Sequence, residues 1–350
     1  MEEKKYEVLY EKLRKQITEG IYPYGSKLKS KRVLAEENNM SLVTVEHALY
    51  LLNDEGYIQS KERQASTVIF RPDDFLMPRA EEERVSSETL PASETLFPFS
   101  ALARTARHVL SVHGEDLLGR KETWGCIELR EALSRYLARS RSMPAAPDTI
   151  VIGSGSEDLY GLIVQILGRS RIYAIENPGY EKIRKIYRSQ SVRIDPLTMG
   201  AHGILDSELR RTPASVLHVT PFTSYPTGIT ADASKRSTYI EWARNHHAII
   251  IEDDYASEFA DHFGHESTLY AMEPSEHVLY INSFTRTIGH GLRLSYMILP
   301  ENGKEEMKEK IAYRSCPVSV FDQLTVAELL ENGTFERNLN RIKRKQRRNL

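Results

Sequence analysis

The run Asn282-Ser283-Phe284-Thr285-Arg286-Thr287-Ile288-Gly289-His290-Gly291-Leu292-Arg293-Leu294-Ser295-Tyr296 gathers hydroxyls, two guanidinium groups and an imidazole in one short stretch. The guanidinium groups can hold an anion. Neither can serve as a neutral amine nucleophile, because a guanidinium keeps its charge where a desolvated lysine can lose its proton. Ser283 with His290 would suit hydrolysis, but no Gly-x-Ser-x-Gly elbow is present. Upstream, Gly153-Ser154-Gly155-Ser156 joins a strand-like run to a helical one. Small residues there let backbone N–H groups approach a phosphate at a helix start, although a plain strand–helix turn reads equally well. No Gly-Lys-Ser/Thr follows, so it is not a P-loop. Tyr180 can stack on a planar ring or cover the core. Glu252-Asp253-Asp254-Tyr255 offers a carboxylate for a protonated ring nitrogen, or an acidic loop on solvent. Eleven histidines raise the question of metal, but no His-Glu-x-x-His or zinc-spaced Cys/His set occurs. No metal is expected.

These clusters need elements to place them. Thr149–Ile152, Arg171–Ile175, Val216–Val219, Ala248–Ile251 and Val278–Ile281 are apolar runs of strand length, with Ile127–Arg139 and the stretch through Leu167 reading as helices. Strands alternating with helices predict an α/β domain with a mainly parallel sheet. In such sheets ligands bind beyond the strand C-termini, which is where each polar cluster falls.

The first seventy residues follow another plan. Tyr6, Leu9, Leu13, Ile17 and Ile21 recur at helical spacing, with Gly20 and Tyr22-Pro23-Tyr24-Gly25 as the stop. Leu28–Asn38 reads as a second helix with Val33, Leu34 and Ala35 inward, and Asn38-Asn39-Met40 as a turn. Ser41 suits the N-cap of a third helix over Leu42–Glu55, with Val45, Ala48, Leu49 and Leu52 buried and Gly56 at its end. Tyr57–Ser60 and Ser66–Phe70 read as two short strands. Three helices and a hairpin make a winged helix-turn-helix (α+β).

The whole chain has 350 residues, net charge −2 and 40% hydrophobic content, enough for two domains. Two cysteines without Cys-x-x-Cys spacing fit free thiols in a reducing cytoplasm. No signal peptide or membrane-spanning run is evident, so no membrane partner is expected and a cytoplasmic location is. The first seventy residues carry 11 basic and 11 acidic side chains, so bulk charge does not announce nucleic acid. Residues 71–95, rich in Pro, Ser, Glu and Asp, suit a tether between domains at 1–70 and 96–350. The basic stretch Arg341–Arg348 reads as a solvated helix face.

Residues 6–70 resemble the GntR superfamily through Leu28-Lys29-Ser30-Lys31-Arg32-Val33-Leu34-Ala35, Ser41-Leu42-Val43-Thr44-Val45-Glu46-His47-Ala48-Leu49 and Leu52-Asn53-Asp54-Glu55-Gly56-Tyr57-Ile58. The resemblance implies double-stranded DNA as partner, with Ser30, Lys31, Arg32, Ser41, Thr44, His47, Lys61 and Arg63 facing it. Leu42 stands where arginine is usual, and Arg63-Gln64-Ala65-Ser66 where the wing usually carries Gly-Ser-Gly.

From about Phe97 onward the chain resembles the MocR/GabR subfamily, which joins such a reader to a fold-type I aminotransferase-like domain. That resemblance rests on the ordered turns above and on residues 283–296. It implies a site for pyridoxal 5'-phosphate (PLP) or pyridoxamine phosphate. Gly155, Ser156 and Arg293 match the phosphate positions and Tyr180 the ring-stacking residue. Asp253 matches the ring-nitrogen carboxylate, and Tyr255 the hydroxyl near the ring's phenolic oxygen. Thr285 and Thr287 flank the position of the Schiff-base lysine, which here is Arg286. Glu157 replaces a usual glutamine. The chain ends inside a helix that in the family leads into the rest of the small domain, so a truncated effector domain is expected. The expected function is a transcription regulator, a homodimer with no catalytic residues. It would bind a PLP-like or amino-acid-like small-molecule effector non-covalently. The alternatives are a working PLP-dependent aminotransferase and a ligand-blind DNA-binding or dimerisation protein.

Overall fold

The computed structural model describes residues 5–55, 57–60, 65–70, 97–119, 123–255, 258 and 267–348. The chain separates into two compact units that divide near residue 91. In the first, helices α1 (Lys5–Thr18), α2 (Lys31–Asn38) and α3 (Leu42–Asp54) precede strands β1 (Ile58–Gln59) and β2 (Thr67–Val68). The two strands pair antiparallel. Ser30 and Ser41 cap α2 and α3 by accepting from the Val33 and Thr44 amides at 3.3 and 3.1 Å, which satisfies one otherwise unpaired N–H in each first turn. Asn39, at φ 53°, ends α2 in the left-handed conformation that asparagine tolerates. Leu9, Leu13, Ile17, Leu34, Val45, Ala48, Leu49 and Leu52 form one core with Ile58 and Val68. Two expectations fail. Ile21 lies past the end of α1 and is exposed, and Val33 turns outward because the short α2 buries Leu34 instead.

The second unit carries α4 (Phe99–His113), α5 (Asp116–Gly119), α6 (Ile127–Arg141), β3 (Ile150–Gly153), α7 (Ser156–Leu167), β4 (Ile172–Asn177), α8 (Glu181–Ser189), β5 (Arg193–Gly200) and β6 (Gly203–Ile204). It continues through α9 (Asp206–Arg211), β7 (Val216–Val219), α10 (Ala233–His246), β8 (Ile249–Asp253), α11 (Leu269–Met272), β9 (Val278–Ser283), β10 (Ser295–Ile298), α12 (Lys304–Glu309), α13 (Val320–Glu331) and α14 (Thr334–Arg348). The eight-stranded sheet runs β3-β10-β9-β8-β7-β4-β5-β6. Its centre is parallel; β10 is antiparallel to both neighbours and β6 to β5. Apolar side chains pack on both faces, as a largely parallel sheet requires.

The end of β8 shows how the sheet aims its side chains. Successive strand residues point to opposite faces. Glu252 turns to one face and accepts from the Leu269 and Tyr270 amides, both at 2.9 Å. Asp253 turns to the other. Asp254, back on the first face, accepts from Arg141 Nη2 at 2.9 Å and the Tyr280 hydroxyl at 2.8 Å. Glu258 is buried beside them and accepts from Asn282. Burial, then the charge of Asp254, pushes Glu252 up to about 8, and the same two causes raise Glu258. The folded unit therefore holds protons that the unfolded chain, with carboxylates near about 4.3, has released. That stability is complete below the unfolded value and is lost as pH rises towards 8. Urea midpoints of the wild type should fall between pH 5 and pH 8.5, and Glu252→Gln should flatten the fall. A midpoint that stays level or climbs across this window would contradict the assignment.

Candidate functional site

Strands β3, β4, β7, β8 and β9 end at one edge of the sheet, and β10, running the other way, begins there. This edge receives Gly155 and Ser156 after β3, Tyr180 after β4, Asp253 and Tyr255 at the end of β8, Thr285–Thr287 after β9, and Arg293 just before β10. The fold thus brings every expected ligand residue of the larger unit to one edge of the sheet, where open α/β sheets bind ligands.

At one end lies a cradle. Gly155 sits at φ 80° as the N-cap of α7, and Ser156 opens the helix. A Cβ on Gly155 would lie 3.0 Å from Arg293 Nη2, so the guanidinium packs close to this backbone, and the positive φ calls for glycine. A helix start beside a guanidinium suits an anion. Glu157 intrudes on it. Its Oε2 is 3.9 Å from Arg293 Nη2, and its Oε1 forms an ion pair with Lys182. The Lys182 ammonium is raised by that bond. The cradle fits a phosphate, with a carboxylate of the chain itself at its mouth.

Further along, Asp253 is buried and accepts from the Tyr160 hydroxyl at 2.5 Å. His218 Nε2 lies 3.5 Å from the same oxygen, while its Nδ1 is 2.7 Å from the Tyr187 hydroxyl. Burial pushes both phenols well above their ordinary range, so they stay protonated and can donate. Asp253 is held by the Tyr160 hydroxyl of α7, with the His218 imidazole of β7 beside it. Tyr180, 40% exposed, makes a T-shaped contact with Tyr225 at 5.8 Å between centroids. Glu176 is buried below, accepting from the Thr220 amide and hydroxyl and the Ser224 hydroxyl at 2.9, 2.5 and 2.7 Å. Burial raises its carboxyl against those three donors.

The Arg286 guanidinium carbon lies 5.6 Å from the centre of the Tyr255 ring. Burial raises the Tyr255 hydroxyl and Arg286 draws it back down. The Thr285 and Ser283 hydroxyls are 2.7 Å apart, and Thr287 is buried with its hydroxyl donating to the Phe284 carbonyl at 3.2 Å. Thr287 thus serves its own turn, and nothing in this geometry directs it to a phosphate.

In the smaller unit, Ser30, Lys31, Arg32, Ser41 and His47 are exposed and Thr44 half-buried. The Ser41 hydroxyl serves the cap and lies 2.8 Å from that of Thr44. Lys31 pairs with Glu46 at 2.8 Å, and His47 stacks on Tyr6 with centroids 4.1 Å apart. Lys61 and Arg63 lie outside the described residues. Tyr160, His218, Tyr187 and Arg141 escaped the sequence reading. Their partners are distant in the chain, and the only local signal is a polar group inside an apolar run.

The fold and site together define a helix-turn-helix reader coupled to an aminotransferase-type body. Residues 5–68 match the family of bacterial regulatory proteins, gntR family, and residues 92–349 match aminotransferase class I and II, so the chain belongs to the latter family and carries the former as its N-terminal domain. It is 29% identical over 355 residues to the uncharacterized HTH-type transcriptional regulator YdeL of Bacillus subtilis, covering 98% of this chain and 77% of that one. The probable rhizopine catabolism regulatory protein MocR of Rhizobium meliloti is 26% identical, covering 96% of this chain and 73% of that one. The HTH-type pyridoxine biosynthesis transcriptional regulator PdxR of Corynebacterium glutamicum is 24% identical, covering 96% and 75%. An archaeal alanine:glyoxylate aminotransferase shares the fold of the larger unit at TM-score 0.63 and 21% identity, and a kynurenine aminotransferase of Pyrococcus horikoshii does so at 0.65 and 22%. The match covers 69% and 72% of this chain but just under two thirds of those enzymes, 62% and 65%. The chain is a DNA-binding transcriptional regulator of this two-domain kind.

The Glu157 pair with Arg293 is partly exposed, so its worth is small, about 0.2–1 kcal/mol. Glu157→Gln should strengthen binding of inorganic phosphate or PLP by about 1.4- to fivefold, read by isothermal titration. Unchanged or weaker binding would mean that this carboxylate does not oppose an anion in the cradle.

Proposed function

We propose that the aminotransferase-like domain is a sensor that holds a PLP-like or amino-acid-like effector without a covalent bond and performs no transamination. The observation that carries this reading is Arg286, a permanent cation beside Tyr255 where the resemblance calls for an amine. PLP, when bound, would bring an electron-withdrawing ring and an aldehyde carbon. Gly155, Ser156 and Arg293 would hold its phosphate, Asp253 its ring nitrogen and Tyr180 its face. Arg286 can donate hydrogen bonds to an oxygen there but cannot release a proton to attack carbon or carry one between carbon atoms. A charge-assisted hydrogen bond contributes about 1.5–3 kcal/mol, so affinity would be modest and reversible. Residues 1–70 would read DNA, 71–95 tether, and 96–350 sense. The proposed working form is a cytoplasmic homodimer.

Supplied with PLP, an amino acid and a 2-oxo acid, the wild type should give no turnover. Borohydride treatment should leave its mass unchanged, while Arg286→Lys should gain a reduced pyridoxyl adduct on the peptide bearing position 286. Turnover by the wild type, or an adduct on another of its lysines, would overturn the site assignment.

The reader makes a separate claim. Footprinting on DNA upstream of the protein's own gene should show protection that Arg32→Ala or Thr44→Ala removes. Equal affinity of wild type and variants for upstream and random duplexes would count against it.

A further inference from the structure

The first turn of α3 lacks the usual base-reading chemistry. The helix contains no lysine or arginine. The hydroxyls of Ser41 and Thr44 are occupied with each other and with the cap. Glu46 is joined to Lys31 of α2, and His47 lies on Tyr6. What the first turn presents to solvent is Leu42, 47% exposed, and Val43, 74% exposed. Tyr50 continues this face two turns on and is also exposed.

In a helix-turn-helix the N-terminal residues of the second helix meet base edges in the major groove. Apolar side chains there have one apolar partner on a base edge, the thymine C5-methyl group. Opposite guanine they would strip water from the O6 and N7 acceptors, and opposite cytosine from the N4 amino group, with no hydrogen bond in return. Arg32, with Lys29 and Lys31 in exposed ion pairs to Glu37 and Glu46, lies on and just before α2, where phosphates can displace those carboxylates. We infer that Leu42 and Val43 read thymine methyl groups, so that this regulator specifies A·T pairs by apolar contact. The arginine expected at position 42 would instead select guanine. The inference rests on the DNA-reading role of this domain.

The test uses the full chain. Sites are selected from a randomised duplex library, and each fixed thymine is then replaced by deoxyuracil, which keeps the pairing and removes only the methyl group. At one or two positions the wild type should lose about fourfold in affinity, the worth of one buried methyl. Leu42→Ala or Val43→Ala should bind the thymine and uracil duplexes equally, and Leu42→Arg should select guanine at the position Leu42 had read. Both side chains are exposed, so the variants should melt with the wild type. Tolerance of uracil at every selected thymine would overturn the inference while leaving the DNA-reading role intact. Failure to enrich any sequence would overturn both.

Discussion

The buried pair of Arg141 and Asp254 is the constraint on which the ligand crevice depends. Both side chains are almost wholly enclosed, at 2% and 0% exposure. Taking one partner from such a pair costs about 3–5 kcal/mol, because the other is left as an unpaired charge in a dry interior. The bond ties the last residue of α6 to the residue after β8. Tyr280 of β9 shares the same Asp254 oxygen, and Asn282 links that hydroxyl to Glu258. With Asp254 fixed on one face, strand alternation leaves Asp253 no choice but the other. The aim of the Asp253 carboxylate is therefore decided on the far side of the sheet.

Two parts of the crevice have fared differently. Behind Asp253 the polar chain through Tyr160, His218 and Tyr187 is buried, with hydroxyls of both tyrosines engaged. At the cradle, Arg293 packs on Gly155 at the start of α7, and Glu157 and Lys182 bring an exposed ion pair to the same place. The buried half resists substitution, since any change leaves polar groups without partners. Salt and water weaken the exposed half, where change costs little.

The sequence disclosed what is local. Val216–Val219 is read to the residue because it is a short apolar run between turns, and Ser156–Leu167 because a Gly-Ser stretch marks its start. Strand β5 went unread because Pro196 and alternating charged residues disguise a strand near the sheet's rim. Strand β10 is hidden in the sequence because Ser295-Tyr296 belong to the site motif and also start an antiparallel strand wedged between β3 and β9. The crevice residues with family counterparts were legible as a set only in order, and no single one was decisive. Arg141, Tyr160 and His218 were not legible, because their meaning lies in pairings across the sheet that no spacing along the chain encodes.

The guanidinium at position 286 also bears on time. A receptor that bonds its ligand covalently is a latch: release waits on chemistry, and past exposure lingers after supply has ended. A site restricted to hydrogen bonds and ion pairs has no such memory. Its occupancy follows the present concentration of ligand, and it empties as fast as contacts of a few kcal/mol can break. On the proposed reading, replacing one amine by one guanidinium would exchange a durable record for a running measurement.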